Sequence, residues 1–213
     1  MIPSVVPAGF VRAHTSVQRP SSVPEVRLHV ADDVVALWEA MESAGGAGDA
    51  PPFWSAAWPG GQALARFVLD DPETVAGRVV LDLGAGSGLV AIAARLAGAA
   101  RVLASDVDPY SRTAIGVNAG LNGVDGISAL GDVLGHPLPP VDVVLAGDVC
   151  YDREMTERVL PFLDRARAAG CAVYLGDPGR PYLPHDRLDE AAVYEIPETE
   201  GPGLRRTTVW RLP

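Results

Sequence analysis

The sequence predicts an α/β fold in which a mostly parallel sheet carries helices on both faces. Two observations predict it. From residue 78 onward, short apolar runs of strand length alternate with Ala-rich segments of helical periodicity, the pattern of buried strands joined by helical crossovers. The first of those runs ends in Gly84, Gly86 and Gly88, where a strand must turn sharply into a helix. With 213 residues, the chain has ample material for the core of one domain.

Each element can be justified in order. Residues 1–24 carry Pro3, Pro7, Pro20 and Pro24 and read as extended, with residues 1–9 disordered. Residues 32–43 read as a helix, because Val34, Val35, Leu37, Trp38 and Met41 recur at helical spacing behind a capping Asp. It should stop at the tract Gly45-Gly46-Ala47-Gly48. An aromatic bend holding Phe53, Trp54 and Trp58 leads into a second helix over 62–69. Strands follow at 79–83, 101–105, 127–130, 141–146 and 171–176. Helices lie between them at 89–97, 109–121 and 153–169, the last bent at Pro161. Residues 191–196 and 207–212 end the chain as a strand hairpin. Right-handed crossovers place a ligand crevice at the carboxyl ends of the first strands.

Composition narrows the function. Hydrophobic residues make up 48% and charged residues 21%, and no apolar run reaches the ~18 residues of a membrane span. Acidic residues number 27 against 17 basic, for a net charge of -10. A protein that tracks phosphates wants a basic stripe, so nucleic acid is not the expected partner, nor is a membrane. Every basic residue is Arg; the chain has no Lys. Cys150 and Cys171 form no C-x-x-C and have no His at ligand spacing, so neither a disulfide framework nor a metal site is expected. No apolar h-region marks the first 30 residues, and the chain is expected to be cytoplasmic.

The run Leu81-Asp82-Leu83-Gly84-Ala85-Gly86-Ser87-Gly88 departs from the dinucleotide fingerprint G-x-G-x-x-G, because Leu89 stands where the third glycine belongs. That argues against a nicotinamide oxidoreductase. Asp82, at the end of the strand, would repel a pyrophosphate but suits a ligand bearing an ammonium group. Asp106 ends the next strand, where an acid can bond ribose hydroxyls. Asp108 competes for that role but precedes Pro109 like a helix cap. Asp132 follows the third strand, where it could meet an adenine amino group or simply make a turn. The glycine run resembles motif I of the class I methyltransferases, which implies S-adenosylmethionine as cofactor and S-adenosylhomocysteine as product.

At the end of the fourth strand, Asp148-Val149-Cys150-Tyr151 resembles the D-x-x-Y motif of the seven-β-strand protein lysine methyltransferases. A free lysine has a pKa of ~10.4 and arrives protonated. A carboxylate can position its ammonium, and Tyr151 can add a ring face and a hydroxyl. The competing reading has Asp148 capping a helix and Tyr151 packing. Pro52-Phe53-Trp54, Trp58-Pro59-Gly60-Gly61-Gln62 and Gly176-Asp177-Pro178-Gly179-Arg180-Pro181 resemble segments of the electron-transfer flavoprotein β-subunit lysine methyltransferases. Ser105 replaces their usual Asn, and Val149-Cys150 is smaller than their Met-Phe pair.

That resemblance implies a Rossmann-like class I methyltransferase fold, a mostly parallel seven-stranded sheet with an antiparallel C-terminal strand. It implies one domain over 1–213, with residues 1–60 covering cofactor and substrate and 61–213 forming the core. Trp58, Gln62, Asp82, Gly84, Gly86, Ser87, Asp106 and Asp132 are the expected cofactor residues. Asp148 and Tyr151 are the expected catalytic pair. The implied activity is methylation of lysine nitrogen on the flavoprotein β subunit, a folded protein partner, by a monomeric enzyme. Arg180 could bond an acidic group on that partner or brace Asp177. Two alternatives stay open: a small-molecule amine or pyridine N-methyltransferase, and a catalytically silent cofactor-binding module.

Overall fold

The computed structural model describes residues 6–45, 51–197 and 203–213. Its strands are β1 (Ser16–Gln18), β2 (Leu28–Val30), β3 (Val79–Leu83), β4 (Arg101–Ser105), β5 (Ile127–Leu130), β6 (Val143–Gly147), β7 (Ala172–Asp177), β8 (Asp189–Pro197) and β9 (Leu204–Leu212). Its helices are α1 (Ala8–Ala13), α2 (Val34–Ser43), α3 (Pro59–Asp70), α4 (Leu89–Leu96), α5 (Pro109–Leu121) and α6 (Arg153–Ala168). Strands β3 to β9 form a seven-stranded sheet in the order β5-β4-β3-β6-β7-β9-β8. Strands β5, β4, β3, β6 and β7 pair in parallel, and β9 runs antiparallel between β7 and β8. The predicted terminal hairpin is therefore present, with its second strand inserted next to the parallel set. The chain steps outward from β3 to β4 and β5 and then crosses back to β6 on the other side of β3, so the crevice opens above the carboxyl ends of β3, β4 and β6.

Strand alternation decides which side chain meets which layer. Val80 joins a core with α3 and α4, while Leu81 and Leu83 face a second core with Phe162 and Leu163 of α6. Helix α6 continues through Pro161, whose missing N–H costs one backbone bond while the flanking apolar face stays packed.

The N-terminal segment departs from expectation. Residues 8–13 are helical rather than extended, and Ala8 and Gly9 belong to that helix rather than to a disordered start: Val11 is fully buried, and Phe10 sets its ring edge-on to Tyr110 of α5 at 5.2 Å. Burying such side chains contributes roughly 1.5–3 kcal/mol each, enough to organise a Pro-punctuated segment. Residues 1–5 lie outside the described residues, as do Gly46, Ala47 and Gly48 of the expected helix stop. Strands β1 and β2 form a small antiparallel ribbon that composition did not announce. Helix α2 begins two residues later than expected because Asp33, not Asp32, caps it by accepting from the Val35 and Ala36 amides. Asp32 instead accepts from Ser16 and Gln18 of the ribbon. Val34 and Val35, expected on the packed stripe, are 46% and 66% exposed.

Candidate active site

A cavity of about 290 Å3 lies above the carboxyl ends of β3, β4 and β6. Leu83, Gly84 and Gly86 form its floor, Ser105 to Asp108 one side, and Gly147 to Val149 the other. Trp54 and Trp58 reach it from the segment before α3, while Tyr151 and Arg180 complete the opposite rim.

The floor is built from backbone. Gly84 and Gly86 take φ of 69° and 52°, a left-handed conformation that side chains resist. The Gly84 and Ala85 amides donate to the Ser105 carbonyl at 2.9 and 3.0 Å, which ties the turn to β4. The Gly86 amide donates to Asp106 Oδ2 at 2.8 Å, and the Asp108 amide to Asp106 Oδ1 at 2.9 Å. Asp106 is thus held by one donor per oxygen, and its remaining lone pairs stay available. Asp108 caps α5 by accepting from the Tyr110 amide. Asp132 lines the cavity too, while accepting from the Leu134 amide and pairing with Arg158 at 2.9 Å.

Three expected cofactor residues sit behind the wall. Strand alternation turns Asp82 toward α4, on the same face as Val80, and its Oδ2 accepts from the Ala91 amide at 2.9 Å. It is 1% exposed, and burial, with Asp106 nearby, pushes its carboxyl up to about 7. Asp82 therefore serves the first turn of α4 from beneath the loop rather than facing the cavity. Ser87 is buried against α5, its carbonyl accepting from Asn118 Nδ2. Gln62 is buried one turn into α3, donating from Nε2 to the Ala57 carbonyl, while its Oε1 has no partner. Trp58 does line the cavity, with Nε1 bonded to the Phe53 carbonyl at 2.7 Å.

Asp148 stands at the far corner with φ of 58°, a strained conformation for a residue with a Cβ. Its amide bonds the Gly176 carbonyl at 2.9 Å. Oδ2 accepts from the Gly61 amide at 2.7 Å, and Oδ1 from Arg180 Nη1 at 2.5 Å. The first is an N-terminal amide of α3, where the helix dipole favours negative charge. Burial raises the Asp148 carboxyl, and the Arg180 guanidinium opposes that most strongly. Arg180 also approaches Asp177 Oδ2 at 3.4 Å, and its amide donates to Asp177 Oδ1. Of its two expected roles, the structure displays the internal brace.

The glycines of the two specific motifs make this corner possible. A Cβ on Gly60 would lie 2.1 Å from the Gly176 carbonyl oxygen, and one on Gly176 would lie 2.1 Å from that of Gly60. A Cβ on Gly147 would come within 2.9 Å of the Gly61 backbone. Helix α3 therefore starts in direct backbone contact with the ends of β6 and β7. Above it, Tyr151 is 46% exposed. Phe53 bridges the rim, its ring 5.8 Å from both Trp58 and Tyr151. Cys150 is 1% exposed, and burial raises its thiol to about 11, which suits packing rather than nucleophilic work.

Sequence reasoning missed Asn118. Fully buried on α5, it accepts from the His29 amide at 2.8 Å and donates to the Ser87 carbonyl, joining β2 to the glycine loop. Its available signal was the spacing of Asn118 and Asn122 on one helix face; Asn122 bonds both the amide and the carbonyl of Arg27.

Comparison with known proteins gives this geometry a family. Residues 63–149 match the model of the ribosomal protein L11 methyltransferases (PrmA). The electron transfer flavoprotein beta subunit lysine methyltransferase of Xenopus laevis is 37% identical over 215 residues, covering 96% of this chain and 86% of that protein. The Homo sapiens protein of the same name is 35% identical, covering 94% and 80%. Among solved structures, the ribosomal protein L11 methylase of Lactobacillus delbrueckii subsp. bulgaricus superposes with a TM-score of 0.52 at 24% identity, covering 72% of this chain and 79% of its own. Precorrin-6y C5,15-methyltransferase of Geobacter metallireducens gives 0.52 at 19% identity, covering 70% and 87%. These two share the fold.

The residues present fit S-adenosylmethionine. Gly84 and Gly86 line the cavity without a side chain, so the bare floor admits a close-lying ligand. Asp106, which lines the cavity, keeps acceptor capacity for hydroxyls. On this fold and this extent of similarity, the chain belongs to the electron transfer flavoprotein beta subunit lysine methyltransferase family and is an S-adenosylmethionine-dependent methyltransferase.

Proposed function

We propose that the enzyme methylates lysine ε-nitrogen on the electron-transfer flavoprotein β subunit. The supporting observation is a buried carboxylate, Asp148, set beside an aromatic rim at the mouth of the cofactor cavity. When bound, S-adenosylmethionine supplies an electrophilic methyl on a sulfonium.

The chain's own residues would then divide the work. Gly84 and Gly86 let the backbone approach the methionyl part, with Trp58 closing over it and Gln62, Asp82 and Ser87 supporting from behind. Asp106 takes the ribose hydroxyls, and Asp132 the adenine end. In-line transfer chiefly needs orientation and exclusion of water. Asp148 has one protein donor on each oxygen, and a carboxylate can accept about four, leaving capacity for an incoming ammonium. Tyr151 offers a ring face and a hydroxyl beside it. The amine must lose its proton before attack, so transfer is expected to speed up as pH rises toward the lysine range.

Mass spectrometry of purified flavoprotein incubated with enzyme and cofactor tests this reading. The expected result is a lysine of the β subunit heavier by whole methyl groups. Because the enzyme has no Lys, every methyllysine found belongs to the substrate. A β subunit that gains no methyl mass would overturn the protein-lysine reading and favour the small-molecule alternative.

A further inference from the structure

Two indoles flank the cavity, and they differ in one respect. Trp58 Nε1 is satisfied by the Phe53 carbonyl. Trp54 lines the same cavity at 1% exposure, yet its Nε1 has no hydrogen-bond partner. An indole N–H can only donate, and a buried donor left unpaired is costly. Packing explains where the ring sits: it stacks on Tyr110 with planes 7° apart and centroids 6.5 Å apart. Its Cα lies 3.9 Å from where a Cβ on Gly86 would stand. That places the residue beside the tip of the glycine loop, but packing leaves the N–H unexplained.

We propose that Trp54 is a cofactor-binding residue whose indole N–H donates to the carboxylate of the cofactor's aminoacyl end. The chemistry selects that group. The adenine amino group and the ammonium are donors and cannot meet an N–H, and the adenine ring nitrogens are neutral, weaker acceptors. The ribose hydroxyls have their acceptor in Asp106. The carboxylate is the strongest acceptor on the ligand, and charge-assisted bonds to it are strong. The proposal rests on the cofactor assignment above.

The test is binding of S-adenosylhomocysteine and of 5′-methylthioadenosine, which lacks the aminoacyl end, to the full chain and to Trp54→Phe. That variant keeps an aromatic ring and removes the N–H. Loss of one charge-assisted bond is expected to weaken S-adenosylhomocysteine about tenfold and to leave methylthioadenosine unchanged. Equal weakening of both ligands, or of neither, would overturn the proposal.

A second readout needs no folded variant at that position. In 15N-labelled wild-type protein, the Trp54 indole cross-peak can be assigned by elimination with Phe variants of Trp38, Trp58 and Trp210. S-adenosylhomocysteine should move it downfield, and methylthioadenosine should not. A peak that both ligands move alike, or that neither moves, counts against the bond. Wild-type protein binding neither ligand would defeat the cofactor assignment itself and the proposal with it.

Discussion

Two carboxylates withdrawn from water, Asp82 near the end of β3 and Asp148 just beyond β6, are both raised by burial but differ in what opposes the rise. Asp82 has one backbone donor and an acidic neighbour, Asp106, so its carboxyl rises to about 7. Asp148 has a guanidinium on one oxygen and the start of α3 on the other, and Arg180 opposes the rise. The difference is one of surroundings, since both sit at strand ends of a parallel sheet. A carboxylate turned under a helix serves the fold and can carry a proton. One that is given a counter-ion beside a cavity has the effect of burial opposed where a cation can reach it.

The comparison breaks most easily at Asp148. Asp148→Ala should lower methyl transfer by at least about 100-fold, the scale on which misorientation acts, while calorimetry shows cofactor affinity nearly unchanged. Unchanged turnover would remove Asp148 from the mechanism. The variant should also unfold earlier, because a partly buried Arg180 loses the nearer of its two carboxylate partners.

The contact beneath Asp148 is the next place to press. Gly176→Ala would push a methyl into the Gly60 carbonyl and should cost about 3 kcal/mol or more in chemical denaturation. Gly123→Ala is the control for a new Cβ that meets no neighbour, because nothing lies within 4 Å of its site; its φ of 65° leaves only the smaller backbone strain.

Tyr151→Phe keeps the ring and removes the hydroxyl, so a loss of turnover of several-fold is expected, well short of the Asp148 effect. A loss as deep as that of Asp148→Ala would give the hydroxyl a larger share than the ring.

The smallest effect concerns Asp82 and is read as a slope. The folded protein holds the Asp82 proton up to pH about 7, whereas an unfolded aspartate releases it near 3.9. Between those values the native state binds more protons, so this residue's contribution makes stability fall as pH rises. Asp82→Asn, which can still accept from the Ala91 amide, should flatten the dependence of Tm on pH between about 4 and 7. An unaltered slope would mean that Asp82 is ionised in the native state.

The sheet was legible because its signals are local. Periodicity located every strand from β3 onward, and the range 109–121 matches α5 residue for residue. The glycine loop and Asp106 were legible from spacing. What escaped depends on contacts between distant parts of the chain. Nothing near Asp148 announces that Arg180 will bond it, and nothing near Asn118 announces His29. Asp82 shows the limit most clearly. Its position suggested a ligand contact, but strand alternation had already assigned it to the α4 side along with Val80. The Pro-rich start read as loose because anchors such as Val6 and Val11 gain their value only against α5.

The mutual approach of Gly60 and Gly176 has a consequence for anyone wishing to retarget the enzyme. With main chain touching main chain at that corner, there is no side chain to exchange, and any atom added there would pry the helix off the sheet. New acceptors would have to be selected at the aromatic lip, where Phe53 and Tyr151 each have solvent on one side and room to vary.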